Sequence, residues 1–239
     1  MPRAATTPLY VTTDDGSRTL YSARFAQTYA SVRGALSEAR EVFLTNSGVA
    51  ARLAAGSEVR LLEVGFGTGL NFFVTAQACL ANLRARLHYT ALENTLLAAD
   101  TVRGLGYAEH FGDALLTPYT KWREGLGEAS GLQVFTFRNV TLELLIGDAT
   151  AQVLPRAETI YHDAFSPEVN PELWSDAFLE TLARALEPDG TLVSYCVQGA
   201  VRRRLQAAGL EVSKRPGKGK REVLLARKPV HPKAREPSP

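Results

Sequence analysis

The stretch "LLEVGFGTGLNFF", residues 61–73, decides how this chain is read. An apolar run ends in three glycines spaced two apart, Gly65, Gly67 and Gly69, and then resumes. Glycine lets the backbone take positive φ and approach a ligand closely, so an apolar strand that turns through glycines into an apolar helix suggests a ligand-cradling loop. The rest of the chain repeats the strand-helix alternation. "VRLLEVGF" (59–66), "LHYTALE" (87–93), "TIYHDAF" (159–165) and "GTLVSYCV" (190–197) read as strands. "GLNFFVTAQACLANL" (69–83), "PELWSDAFLETLARAL" (171–186, with Pro171 near its first turn) and "GAVRRRLQAAG" (199–209) read as helices. "LQVFTFRNVTLELLIGDA" (132–149) reads as two strands around a tight turn at Arg138-Asn139, and "LEVSKRP" and "REVLLARK" as two more around "GKGK". The expected fold is α/β, a mostly parallel seven-stranded sheet with helices on both faces and an antiparallel edge hairpin. Residues 107–127 read as a helical insertion, and 1–58 as an N-terminal extension or lid with a helical run, "RFAQTYASVRGALSEAREVFL" (24–44). Residues 59–228 form the main domain. The Pro-rich, charged end from 229 to 239 reads as a disordered tail.

Composition is that of an ordinary soluble globular protein, and 239 residues suffice for one full α/β domain. Cys79 and Cys196 lie far apart in apolar context and form no CxxC motif, so they read as buried free thiols, and no metal is expected. The start has no apolar signal region, and no apolar run approaches the ~20 residues of a membrane span, which gives a cytoplasmic expectation without membrane contact. The net charge of +2 hides an asymmetry. From Val201 to Pro239 there are twelve basic and three acidic residues, whereas the first 200 residues carry fifteen basic and twenty-two acidic. A basic end on an acidic body suits contact with a polyanion, although a solvated tail has the same composition.

The glycine loop departs from the dinucleotide fingerprint GxGxxG, because Leu70 stands where the last glycine belongs. It suits S-adenosylmethionine better. That ligand has no phosphate, and its ammonium and sulfonium favour a nearby carboxylate such as Glu63. Two later acids, Glu93 and Asp148, end further strands at the edge where an α/β sheet opens. Glu93 can take two ribose hydroxyls and Asp148 an adenine amino group. Singly, each acid is as readily a helix N-cap or a surface charge, but together they frame one nucleoside.

"YHDAFSPEVNPELW" (161–174) is the second motif. Asp163 closes an apolar run and is followed by Pro167 and Pro171, which resembles the Asp-Pro-Pro-Tyr loops of methyltransferases acting on amino nitrogens. An alkylamine has a pKa of about 10, so the acceptor arrives protonated and the site has to remove that proton. Asp163 can orient the amine and accept it. Phe165 or Trp174 can stack on a base drawn into the pocket, Trp174 being equally suited to core packing. His162 alternates with Asp163 and faces the core.

The combination of "EVGFGTGLNFF", "YHDAFSPEVNPELW", "GAVRRRLQAAGLEVSKRPGKGKREVLLA" and the N-terminal "LYSARFAQTYASVRGALSEAREVFL" resembles the methyltransferase domain of MnmC-like proteins over nearly the whole chain. The resemblance implies a class I, S-adenosylmethionine-dependent Rossmann-like domain. It would methylate the aminomethyl group of a wobble uridine in the tRNA anticodon loop. By position, Glu63, Gly65, Gly67 and Gly69 would line the cofactor, Glu93 and Asp148 would hold its nucleoside, and Asp163 and Phe165 would face the acceptor. The long form of the family adds a flavin-dependent oxidase. This sequence has no second glycine fingerprint, so the expectation is a substrate that already bears the free aminomethyl group. The basic residues Arg202, Arg203 and Arg204, and Lys214, Arg215, Lys218, Lys220 and Arg221 around the glycine turn, are the expected tRNA contacts, provided the hairpin lies beside the strand carrying Asp163. The competing reading is a small-molecule methyl- or aminopropyl-transferase similar to spermidine synthase, which shares the fold and an acidic loop after the fourth strand.

Overall fold

A computed structural model describes residues 8–127, 129–217 and 222–230. Three short strands open the chain, β1 (Leu9–Thr12), β2 (Arg18–Ser22) and β3 (Gln27–Thr28), forming a small antiparallel sheet. The main sheet contains β4 (Glu58–Val64), β5 (Arg86–Glu93), β6 (Gly131–Phe137), β7 (Val140–Ile146), β8 (Ala157–His162), β9 (Leu186–Ser194), β10 (Glu211–Pro216) and β11 (Glu222–Arg227). Their order is β10-β11-β9-β8-β4-β5-β7-β6. The five central strands β9, β8, β4, β5 and β7 run parallel, and both edges are closed by antiparallel hairpins. The sheet thus has eight strands, not seven. The two strands read in 132–149 form a second edge hairpin, in which β6 turns back onto β7 at Arg138, whose φ is 53°. The Asn139 side chain fastens that turn, its amide donating to the carbonyls of Cys79, Asn82 and Ala85.

Alternation along the strands sorts the core into two layers. Val59 and Leu61 of β4 face a layer built on the helix Leu70–Leu80 and the helical segment 35–54, with Phe43, Val49, Leu53, Phe72 and Phe73 buried there. Leu62 and Val64 face the opposite layer, where Phe178, Leu179 and Leu182 of the helix Asp176–Ala185 meet Val201 and Leu205 of the helix Gly199–Ala207. Residues 107–127 are not an insertion outside the core. Their helices (Ala108–Phe111 and Asp113–Leu126) bury Tyr107 and Tyr119 against Phe73. The N-terminal helical run also begins later than expected, at Ala35 after Gly34 (φ 133°), and residues 24–34 are turns and the short β3. The tail lies outside the described residues from 231 onward.

Chain order decides where a ligand fits. From β4 the chain moves outward through β5 and β7, then crosses back to place β8 on the other side of β4. The connections diverge at the carboxyl ends of β4 and β8, and such a switch point leaves a crevice.

Candidate active site

A cavity of about 770 Å³ opens at this switch point. Its wall includes Gly65, Gly67, Glu93, Asp148, Asp163 and Phe165, together with Phe25, Gln27, Tyr29 and Glu38 from the N-terminal segment, and Asn71 and Tyr195.

The glycine loop is shaped by close approaches. A Cβ on Gly65 would lie 2.7 Å from the Asp163 carbonyl oxygen, so the loop can pass the end of β8 only as glycine. Gly67 has φ 53°, and a Cβ there would sit 2.9 Å from the Tyr29 ring, which covers the loop from the N-terminal side. Glu93 ends β5 and accepts from the backbone N–H of Gly67 at 2.8 Å and of Thr95 at 2.9 Å. Burial raises its pKa, opposed by these donors and by Arg24. Asp148 is exposed on the cavity wall and caps a short helical turn, Oδ1 accepting from both the backbone N–H and the hydroxyl of Thr150 at 2.8 Å. The Thr150 hydrogen bonds hold its carboxyl below the usual range.

On the other side of the cavity stands Asp163. Its backbone N–H continues the sheet by donating to Val64 O at 2.9 Å. The Asn71 amide donates to Asp163 Oδ2 at 2.7 Å and to Glu63 Oε1 at 2.9 Å, joining two carboxyl groups through one nitrogen. Burial pushes the Asp163 carboxyl well above the carboxylate range, the charges of Glu38 and Glu63 push it further, and Asn71 opposes them. Phe165, two residues on, stacks against Phe25 with ring centroids 4.3 Å apart and meets the edge of Tyr29 at 5.0 Å. Gln27 clasps the same loop, donating to Ser166 Oγ at 2.7 Å and accepting from its backbone N–H at 3.3 Å. Arg24 lies over the outer face of Phe25, 5.0 Å from the ring centre.

Several expected site residues stand elsewhere. Trp174 is fully buried. It stacks on His162 at 4.1 Å and its indole N–H donates to Phe165 O at 2.7 Å, so it supports the Asp163–Phe165 loop from behind and offers no face to a base. Burial of His162 lowers its pKa to about 4 and keeps it neutral, as suits a core residue. Glu63 is only 1% exposed and lies behind the cavity wall, reaching it through Asn71. Gly69 is absent from the wall as well; it takes φ 77° to start the helix at Leu70, with a Cβ position only 3.0 Å from Phe66. The basic hairpin is not beside β8. β9 intervenes, and β11 and β10 lie beyond it, although the β10 end at Pro216 pairs with Glu222 near the carboxyl edge of the sheet. There Arg215 is exposed and Lys214 pairs with Glu222 at 2.6 Å; Lys218, Lys220 and Arg221 lie outside the described residues. In the helix Gly199–Ala207, Arg203 is exposed, Arg202 is half-buried, and Arg204 binds Trp174 O and Asp176. Sequence reasoning missed Asn71, Glu38, Phe25, Gln27 and Tyr29. An amide one residue into the helix that follows the glycines was the one available signal for Asn71, because such a position points back at the strand ends.

The donor set fits S-adenosylmethionine. Five carboxyl groups, Glu38, Glu93, Asp148, Asp163 and Glu172, line the cavity, against the single cation Arg24 among the described residues. That balance opposes a pyrophosphate and suits a ligand with a sulfonium and an ammonium. Among the described residues no helix is long and apolar enough to cross a membrane.

Comparison with known proteins agrees. Residues 111–229 match a family described as S-adenosyl-L-methionine-dependent methyltransferase. The chain is 36% identical over 226 residues to the tRNA 5-methylaminomethyl-2-thiouridine biosynthesis bifunctional protein MnmC of Cupriavidus metallidurans, covering 91% of this chain and 33% of that protein. Its namesake in Paracidovorax citrulli is 39% identical over 208 residues, covering 83% and 32%. The chain therefore spans about a third of the length of these curated relatives. Among solved structures, MNMC2 from Aquifex aeolicus superposes with a TM-score of 0.74 at 28% identity, covering 98% of this chain and 74% of that one. Spermidine synthase from Thermotoga maritima shares the fold, with a TM-score of 0.51 at 14% identity over 94% of this chain and 73% of that one. Fold, acid-lined cavity and sequence matches converge, and the chain belongs to the S-adenosyl-L-methionine-dependent methyltransferase family.

Proposed function

We propose that this methyltransferase N-methylates the aminomethyl group of 5-aminomethyl-(2-thio)uridine at the tRNA wobble position, giving 5-methylaminomethyl-(2-thio)uridine. The carrying observation is Asp163, at the end of β8, presenting a carboxyl to the same cavity as Gly67 and Glu93. Bound S-adenosylmethionine supplies an electrophilic methyl on its sulfonium. The Gly65–Gly67 backbone would lie along that cofactor, Glu93 would take its ribose hydroxyls and Asp148 its adenine amino group. On the acceptor side, Asp163 takes the proton of the incoming ammonium and so frees the nitrogen lone pair for attack. Its raised proton affinity suits that exchange better than an ordinary carboxylate would. Phe165 offers an aromatic face to the pyrimidine. The wobble uridine sits in a single-stranded loop and can be splayed outward into such a site, whereas a paired base cannot.

Three features support this reading: the names of the MnmC relatives, the likeness to MNMC2, and the surplus of basic residues after Val201, with Arg202, Arg203, Lys214, Arg215, Lys218 and Lys220 as its proposed phosphate contacts. The test incubates the protein with methyl-labelled S-adenosylmethionine and tRNA carrying aminomethyluridine, then analyses nucleosides by mass. Label is expected in methylaminomethyluridine. Asp163→Asn is expected to keep cofactor affinity and lose ~10²-fold or more in turnover. Label in polyamines, with none in tRNA, would replace the reading with a spermidine-synthase-like one.

A further inference from the structure

The cofactor and acceptor reading leaves unexplained a buried carboxyl group behind the cavity. Glu63 is 1% exposed, its Oε1 accepts from Asn71, and its Oε2 has no hydrogen-bond partner. Tyr89 on β5 and Tyr161 on β8 border it, and neither hydroxyl has a hydrogen-bond partner within normal distance. No cation is placed to compensate a charge at this position among the ion pairs of the described residues. An ionised carboxylate there would lack the partners that burial demands. Yet the same Asn71 nitrogen also holds Asp163, whose Oδ2 it binds at 2.7 Å. Two carboxyl groups sharing one donor, with no cation beside them among the described residues, cannot both be charged at modest cost; one keeps a proton.

Which of them keeps it follows from the surroundings. Asp163 lines the cavity and is partly exposed, so an incoming ammonium can meet its charge and offset the burial that raises its proton affinity, whereas Glu63 is sealed behind the wall. We propose that Asn71 and Glu63 are positioning residues for the reaction assigned to Asp163: Asn71 fixes the Asp163 carboxylate toward the acceptor, and Glu63, held protonated behind it, removes the competing charge. The inference rests on the proposed role of Asp163. Burial raises the Glu63 pKa to about 8, opposed by the hydrogen bond from Asn71, which agrees with a neutral carboxyl near pH 7. Asn71 is placed for the task by the glycine turn: Gly69 starts the helix, and Asn71 is its second residue, with its carbonyl accepting from Thr75 Oγ1 at 2.7 Å.

The charged and titratable groups facing Asp163 are Glu63 from β4, Tyr89 from β5, Glu38 from the N-terminal helical segment and Tyr195 beyond β9. Of these, Glu63 alone shares its hydrogen-bond donor. The sign of the pH effect follows. Asp163 acts as its anion, so kcat/KM rises with pH through its pKa. Loss of the Asn71 donor destabilises that anion and moves the acid limb to higher pH.

The experiment combines kinetics with carboxyl-carbon NMR. In wild-type protein labelled at Glu and Asp carboxyl carbons, the Glu63 signal, identified by its loss in Glu63→Gln, is expected at the neutral-acid shift until the pH nears 8. Asn71→Ala is expected to lower kcat on the aminomethyluridine RNA by ~10-fold or more. Its acid limb should rise by about one pH unit, while S-adenosylmethionine affinity holds. Adding Glu63→Gln to it should leave the limb where Asn71→Ala placed it, because a neutral amide then replaces an acid that is already neutral. An acid limb unmoved by Asn71→Ala, or a Glu63 signal already ionised well below neutral pH, overturns the proposal. If wild-type protein transfers no methyl to that RNA, the acceptor reading falls, and the NMR titration still decides where the proton sits.

Discussion

The N-terminal turn between β2 and β3 and the C-terminal hairpin of β10 and β11 sit on opposite terms with the cavity. The turn carries one basic residue, Arg24, and brings Phe25, Gln27 and Tyr29 into the cavity wall. The hairpin belongs to the most basic part of the chain, yet it is separated from β8 by β9, and Lys214 is already paired with Glu222. Charge is the louder signal in a sequence, but contact is made by the quieter segment. On the proposed function the two would do different work: the turn would shape the space in which a base and a cofactor meet, and the hairpin would reach only toward more distant phosphates.

Gly67→Ala gives the largest effect that bears on this division. The new Cβ meets Tyr29 at 2.9 Å and φ is 53°, so S-adenosylmethionine affinity is expected to fall by ~10- to 100-fold, with αL strain alone costing about 1 kcal/mol or more. Adding Tyr29→Ala should restore part of it in calorimetry, since the steric obstacle belongs to the N-terminal segment. No recovery would show that the turn does not press on the loop.

Phe25→Ala comes next. Base stacking on an aromatic ring is worth about 1–3 kcal/mol, so KM for the tRNA should rise by roughly tenfold while cofactor affinity stays. An equal loss of cofactor affinity would make the turn a cofactor lid and not an acceptor wall.

The smallest effect is expected in salt dependence. Each phosphate contact on a single strand contributes ~0.7 to the slope of log affinity against log salt. Lys214→Gln with Arg215→Gln should remove about one such contact and not two, because Lys214 answers to Glu222. Arg24→Gln should match that with a single change. A loss of two contacts from the hairpin pair, with none from Arg24, would reverse the comparison.

Much of the fold was legible because buried parallel strands are continuous apolar runs, and the residues ending those runs must open onto one edge of the sheet. Glu93, Asp148 and Asp163 were found on that basis, and all three line the cavity. Glu63 shows the limit of the argument: it sits one residue before the end of β4, and alternation turns it inward toward the helix Leu70–Leu80. Trp174 was ambiguous because an aromatic at a helix start suits either a base or a core; the neutral ring of His162 beside it decided for the core. Phe25 and Tyr29 were hidden because apolar spacing in residues 24–44 imitates a helix, while pairing of β2 with β3 and the backbone at Gly34 hold the first half open. The hairpin was legible as an edge element, but distance from β8 depends on strand order, which pairing across the chain determines.

The indole of Trp174 has an optical consequence. The chain has two tryptophans, and the other, Trp122, packs beside Tyr119 and Phe135, against the helix and hairpin at the far edge of the sheet. Trp174 donates to the carbonyl of Phe165 and lies flat on His162, so it is tied to the backbone that carries the Phe165 ring. On the proposed function, an RNA that drew Phe165 away from Phe25 would tug on that carbonyl and change the indole emission. The protein thereby contains its own fluorophore for following acceptor entry in a stopped-flow trace, with no label attached.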